Sequence, residues 1–367
     1  MSVVDVGRKL LGEIEEGALA EVFCLAREEL LPCKKYYIGV EPIDDLLDLF
    51  TTPVTVHGSS SPGRGHQENA HPKPRAQGPP CIEIASATPD NGKTQLLYFI
   101  IARALLPPTY AGVPLQGQHA AVLYFDTCPN FSVNRLVTIM TTHITHLIPS
   151  IAPPDLETLL VTSLTHLHIF TPPSLPSLLL TLSSLSDYLR APHPSHHRAL
   201  HSLVLSSATA YHWADRHDTE MANIPSTTEH VSRKRVLSGY PALRAALSKA
   251  SKDLHCPVIY TATDPRPKYG PPSRSLKAVV PRSWETFPDV RVLVQRRMVR
   301  SFPIGTCAEE AGKDAGQRGQ AVHGAGFDIG ANEHGIGEWS AEVREEVRRG
   351  KGRARMRVDG QGVWVDR

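Results

Sequence analysis

At 367 residues and 41% hydrophobic, the chain is long enough to bury a large core, as one long domain or two ordinary ones. A formal charge of +2, from 39 Lys and Arg against 37 Asp and Glu, excludes bulk electrostatics as a reason to bind nucleic acid or membrane. The six cysteines, Cys24, Cys33, Cys81, Cys128, Cys256 and Cys307, contain no Cys-x-x-Cys pair, which argues against a zinc or dithiol centre and for a reducing compartment.

In chain order, residues 5–31 space Val6, Leu10, Ile14, Ala18, Val22, Leu25 and Leu30 as one apolar helical face, with charges between them. Asp5, Arg8, Lys9 and Glu13 stand where a signal peptide needs its apolar core, so secretion is not expected. No window reaches the roughly 18–20 apolar residues of a membrane span. The segment "GVEPIDDLLDLF" follows, and then residues 56–80, whose Gly, Pro, Ser and His composition reads as a disordered insertion. From Cys81 onward short apolar runs alternate with helical patterns. Strands are expected at 81–86, 120–126, 166–170, 200–206, 256–262 and 290–295, and helices at 93–105, 132–148, 154–163, 173–190 and 239–254. This alternation predicts an α/β fold with a mostly parallel twisted sheet flanked by helices. Two stretches read as long mobile loops, 263–276 and the Gly-rich 312–326, and a final β-hairpin is expected around Asp359-Gly360.

The stretch "CIEIASATPDNGKTQLLYFI" reads as a buried strand, a tight loop and a helix start. Against the phosphate-loop pattern G-x-x-x-x-G-K-[ST], Ala87-Thr88-Pro89-Asp90-Asn91-Gly92-Lys93-Thr94 keeps three of the four fixed positions. Backbone amides of this loop would cradle phosphates, Lys93 would bridge the terminal ones and the Thr94 hydroxyl would hold magnesium. A bare Gly-Lys-Ser/Thr arises by chance in roughly one chain in five of this length, so its place between strand and helix gives it weight. If the backbone at Ala87 needs a positive φ, its Cβ costs about 1–2 kcal/mol, and Pro89 removes one amide from the cradle. The competing reading is a helix cap in which Asp90 or Asn91 satisfies the first amides and Lys93 is solvated.

The pieces "GVEPIDDLLDLF", "IEIASATPDNGKTQLLYFIIARALLP", "VLYFDTCPNFSVNRLVTIM" and "LHSLVLSSATAYHWADRHDTE" together resemble the RecA-type recombinase paralogues of eukaryotes. The "RLVTI" segment, Arg135 to Ile139, and the Trp213-x-Asp215-Arg216 segment carry the resemblance beyond the shared Gly-Lys-Thr-Gln. It implies three parts: 1–38, an N-terminal amphipathic helix and linker; 39–303, a RecA-like P-loop core with a disordered insertion at 55–80; and 304–367, a Gly-rich loop, basic run and hairpin. It also implies ATP and magnesium as ligands at Thr88, Asp90, Asn91, Gly92, Lys93, Thr94 and Gln95, with Asp126 as a further magnesium or phosphate contact. Active members of the family need a strand-end aspartate where this chain has Ser206 and Ser207. They need a glutamate where it has Cys128, and a glutamine near Thr261 to Asp264, where none is present. Loss of a positioned base typically forfeits roughly 10²- to 10⁴-fold in rate. No catalytic residue is therefore expected. The resemblance implies a nuclear, non-catalytic subunit of a recombinase-paralogue complex in homologous-recombination repair of double-strand breaks, assisting recombinase loading. Sister paralogues and single-stranded or branched DNA are its implied partners. The alternative is an active DNA-dependent P-loop ATPase using Lys93, Thr94 and Asp126.

Further candidates carry bland alternatives. Arg266, Lys268, Arg274 and Lys277 lie where the family's DNA-contacting loops sit, though loops are often basic. The run Arg344, Arg348, Arg349, Lys351, Arg353, Arg355 and Arg357 reads either as a phosphate contact or as a solvated tail. His143 and His146 share a helical face without further ligands, so no metal site beyond magnesium is expected.

Overall fold

The structure is a computed structural model and describes residues 36–51, 78–88, 91–191, 194–223, 238–264, 273–299 and 305–366. By internal contacts the chain divides into Met1–Tyr36 and Tyr37–Arg367, and the architecture below is that of the second unit. The expected helix over 5–31 and all but the end of the expected insertion lie outside the described residues.

Helix α1 (Glu41–Thr51) precedes strand β1 (Cys81–Ser86), which leads into helix α2 (Lys93–Leu105). A small two-stranded hairpin, β2 (Thr109–Tyr110) and β3 (Val113–Pro114), connects α2 to β4 (Ala121–Phe125). Next come α3 (Val133–Leu147), α4 (Pro153–Leu164) and β5 (Leu167–Phe170), then α5 (Leu175–Ser183) and α6 (Leu185–Arg190). Strand β6 (Leu200–Leu205), α7 (His212–Ala222), α8 (Tyr240–Asp253), β7 (Val258–Thr263) and β8 (Val290–Arg296) complete the core. The C-terminal part holds α9 (Ala308–Lys313), α10 (Ala315–Gly324), β9 (Phe327–Ala331), α11 (Ala341–Arg348), β10 (Ala354–Val358) and β11 (Val363–Asp366).

The strands other than β2 and β3 form one nine-stranded sheet in the order β11-β10-β9-β8-β1-β7-β6-β4-β5. The six strands from β8 to β5 run parallel, and β9, β10 and β11 continue the sheet antiparallel beyond β8. The parallel strands are legible as near-continuous apolar runs because helices cover both of their faces; every residue of β1 and β4 is buried. Ile82, Ile84, Val122, Tyr124, Val292 and Val294 pack on one face with α1, α2 and α3. Leu123, Phe125, Leu203 and Tyr260 pack on the other with α5 and α8. The chain thus has the mostly parallel, RecA-like α/β architecture expected of it, closed by a C-terminal hairpin.

The differences have local causes. The single helix expected over 173–190 is broken at Ser184, where the Ser183 and Ser184 hydroxyls donate to the carbonyls of Leu180 and Thr181 at 2.7 and 3.1 Å. The stretch read as a mobile Gly-rich loop, 312–326, carries the end of α9 and the whole of α10 instead. Ala308, Glu309, Glu310 and Ala311 are strong helix formers, and a capping box between Cys307 and Glu310 starts the first turn. The basic run is no tail, since Arg344 and Arg348 ride on α11 while Arg355 and Arg357 belong to β10.

Candidate nucleotide site

The phosphate-loop motif sits between the C-terminal end of β1 and the N-terminus of α2, in the middle of the sheet where neighbouring connections diverge. In open α/β sheets ligands bind in such crevices. Gly92 is the N-cap of α2 at φ +83 and makes no side-chain cap bond, so the first amides of the helix and its positive dipole end are left to solvent or an anion. Glycine is needed there twice over: its φ lies in the left-handed region, and a Cβ would stand 2.8 Å from Met356 Cε and 3.0 Å from Phe327 Cδ1. Ala87 is not among the residues at positive φ, so the steric cost that its Cβ would carry there does not arise.

Lys93 is buried (6% exposed) rather than solvated. Its Nζ donates to Ser86 Oγ at 2.5 Å and to the Thr88 carbonyl at 3.4 Å, and the Ser86 hydroxyl donates to the same carbonyl at 2.5 Å. The ammonium is thus folded back onto the loop it would serve. Thr94 is exposed on the first turn, Asn91 and Gln95 are half-buried, and Asp90 lies outside the described residues together with Pro89.

The ends of β6 and β4 lie two and three strand positions from β1, roughly 10 and 14 Å across the sheet at ~4.8 Å per strand. Here the structure shows a hydrogen-bonded network closed on itself. Ser206 Oγ donates to Asp126 Oδ1 at 3.3 Å and accepts from the Thr127 amide at 3.0 Å. The Thr127 hydroxyl donates to the Ser207 carbonyl at 2.9 Å and accepts from the Ser207 amide at 3.2 Å. Asp126 is buried, and its second oxygen accepts from the Phe131 amide at 3.0 Å, which ties the β4–α3 turn to the strand end. Cys128 occupies the place of the expected base, and burial, the largest influence on it, pushes its thiol above the ordinary range. A neutral thiol cannot take a proton from water. At the end of β7 the glutamine implied by the resemblance is again absent; buried Asp264 follows Thr263, the register partner of Ser86, and its amide donates to the Ser86 carbonyl at 3.2 Å.

Arg135 has a role that the sequence did not disclose. Its guanidinium donates to Gln95 Oε1 at 3.0 Å and to the carbonyls of Asp359, Gly360 and Gly362 at 2.8, 3.1 and 3.1 Å. The turn of the β10–β11 hairpin is thereby fastened to the first turn of the phosphate-loop helix. With Phe327 and Met356 against Gly92, the C-terminal strands form the back wall of the loop. These contacts join residues more than 200 positions apart, and no local pattern announces them.

Of the DNA-contact candidates, Arg266 and Lys268 lie outside the described residues. Arg274 and Lys277 are exposed and each faces a carboxylate, Glu333 at 3.8 Å and Glu285 at 2.6 Å. His143 Nε2 lies 2.9 Å from the Leu115 carbonyl, and among the described residues no group of three or more His, Cys, Asp or Glu is placed to hold a metal ion. Trp213 is exposed, with the Arg216 guanidinium 5.8 Å from its ring centre. Among the described residues no helix is long and apolar enough to cross a membrane.

No protein-family model matches the chain. Over 126 residues it is 31% identical to the DNA repair protein XRCC2 of Mus musculus, a stretch that is 34% of this chain and 39% of that protein. The chain therefore spans about two fifths of the length of that relative. The similarity makes it a distant relative of a DNA repair protein.

Proposed function

We propose that this chain is a nucleotide-holding, non-hydrolysing subunit of a recombinase-paralogue complex. It acts in the nucleus in homologous-recombination repair of double-strand breaks and helps a recombinase load on single-stranded DNA. One observation carries the reading: the loop keeps a buried lysine and an uncapped helix start, while the strand ends hold Ser206 and Cys128 where hydrolysis needs charge. The distant match to a DNA repair protein supports the setting.

The loop fits the phosphates of a nucleotide such as ATP, with Lys93, Gly92 and the first amides of α2 as contacts and Thr94 an exposed hydroxyl beside them. It fits magnesium less well, because Ser206 is neutral and both oxygens of Asp126 already accept hydrogen bonds. A bound triphosphate would supply negative charge that holds Lys93 and the helix start in one arrangement. The protein supplies position, and Cys128, a thiol that burial holds above its ordinary range, does not activate a water. The function then lies in interfaces with sister paralogues in a hetero-oligomer.

The test is equilibrium binding of a fluorescent ATP analogue to wild type and Lys93→Ala, with and without magnesium, alongside phosphate release from the same samples. Expected is binding that weakens at least tenfold in Lys93→Ala, with no release above background. Release that is lost in the variant would replace this reading with that of an active ATPase. Absence of binding would leave the loop a structural element. Co-purification with a RecA-fold partner from cell extract tests the complex separately.

A further inference from the structure

The basic run ends on strand β10, where the pleat sorts its residues. Ala354 and Met356 point into the core, and Arg353, Arg355 and Arg357 are exposed on the opposite face. The same face continues across the neighbouring strands. Arg355 is in register with Asp328 of β9 and Asp366 of β11, and Arg297, just past β8, pairs with Asp328 at 3.6 Å. The Gln295 amide of β8 donates to the Ser273 carbonyl at 2.6 Å, which lays the segment carrying exposed Arg274 beside these strands.

We infer that this open face of the antiparallel extension is a binding surface for the phosphate backbone of a single nucleic-acid strand, centred on Arg353, Arg355 and Arg357. Three observations converge on it. Arg355 and Arg357 alternate along β10, about 6.7 Å apart at the backbone, with Arg353 directly before the strand, so successive arginines can meet successive phosphates of one extended strand. The carboxylates on the face are already committed: Asp328 pairs with Arg297, and Asp366 with Arg357 at 3.2 Å. Among the described residues neither Arg353 nor Arg355 has an ion-pair partner. Exposed pairs of this kind are weak and exchange readily for phosphate. Arginine rather than lysine at all three positions suits two-pronged contact with phosphate oxygens. The row is one strand wide, so it follows a single backbone and does not enter a groove.

The inference extends the repair reading above but stands on these arginines, not on nucleotide binding. Fluorescence anisotropy with a labelled oligo-dT and the full chain, between 50 mM and 200 mM salt, tests it. Each phosphate contact in a single strand adds about 0.7 to the salt slope. Across that range wild-type affinity is therefore expected to fall roughly 20-fold more steeply than that of a triple Arg353→Gln, Arg355→Gln, Arg357→Gln variant. The variant should melt with wild-type cooperativity and still bind the ATP analogue, and the corresponding triple Arg→Lys variant should regain most of the slope. An unchanged slope in the glutamine variant overturns the proposal, as does preference for duplex over oligo-dT. Lys93→Ala should bind oligo-dT like wild type, so failure of the nucleotide reading and failure of this one are told apart.

Discussion

The end of β1 and the ends of β6 and β4 lie along the same edge of one sheet, yet they are built on opposite terms. At β1 the α2 helix starts without a side-chain cap, and Lys93 is held by a hydroxyl and a carbonyl of the loop itself. At β6 and β4 the polar groups satisfy one another, with Ser206, Thr127, Ser207 and Asp126 joined in a closed network. On the reading proposed above, holding a triphosphate and splitting it are separate demands placed on separate strands. A chain can keep the first and lose the second without disturbing its core.

The most severe disturbance of the retained half is Gly92→Ala. A Cβ at φ +83 costs about 1–2 kcal/mol and the contact with Met356 and Phe327 about 1–3 more, so chemical denaturation should show a loss of roughly 2–5 kcal/mol. Ala87→Gly makes the contrast. Because Ala87 is not at positive φ, the added freedom should cost up to about 1 kcal/mol instead of relieving strain. A stabilising Ala87→Gly would show that the loop wants the missing glycine after all.

The closed half is probed by Ser206→Asp. The new carboxylate would stand beside the buried Asp126, whose oxygen is 3.3 Å from the present hydroxyl. Two carboxylates that close cannot both ionise easily, which raises the pKa of the pair and destabilises the fold by about 1–4 kcal/mol near neutral pH. The folded pair binds a proton more readily than the unfolded chain, so the deficit should shrink as pH falls toward the carboxylate range and grow as it rises. Millimolar magnesium should return part of the lost melting temperature if the pair forms a metal site. No response to magnesium would mean that the crevice has lost the shape as well as the charge.

How much of this was legible follows from where the information lies. The parallel strands announce themselves because burial on both faces demands unbroken apolar runs, and β1 and α2 begin and end where the residues predict. The loop was legible because its chemistry is local. The closed network was half legible: the residues replacing charge at Ser206 and Cys128 are visible in sequence, but their hydrogen bonds to Thr127 and Ser207 depend on two strands meeting. Apart from the final hairpin, which the Asp359-Gly360 turn announced, the C-terminal elements were nearly illegible. Strand β9 buries only Phe327 and Ile329, and α11 only Val343 and Val347, too few positions to establish a period, and four glycines mask the helical tendency of 308–324.

The finest test lies where the two halves share a support. Arg135 leaves the first turn of α3, just beyond the Asp126 turn, and reaches both Gln95 on the phosphate-loop helix and three carbonyls of the hairpin turn. Arg135→Ala exposes those carbonyls to water, so the global cost should be modest, about 1–2 kcal/mol. Its local signature should be sharper. Amide exchange should quicken in residues 354–366 and at the start of α2, while β4 and β6 keep their protection. Arg135→Lys should recover little, because a single ammonium cannot span a side-chain amide and three carbonyls arranged for a planar fork. Equal quickening at the ends of β4 and β6 would mean that the retained and the closed halves are one mechanical unit, and the separation drawn between them would fail.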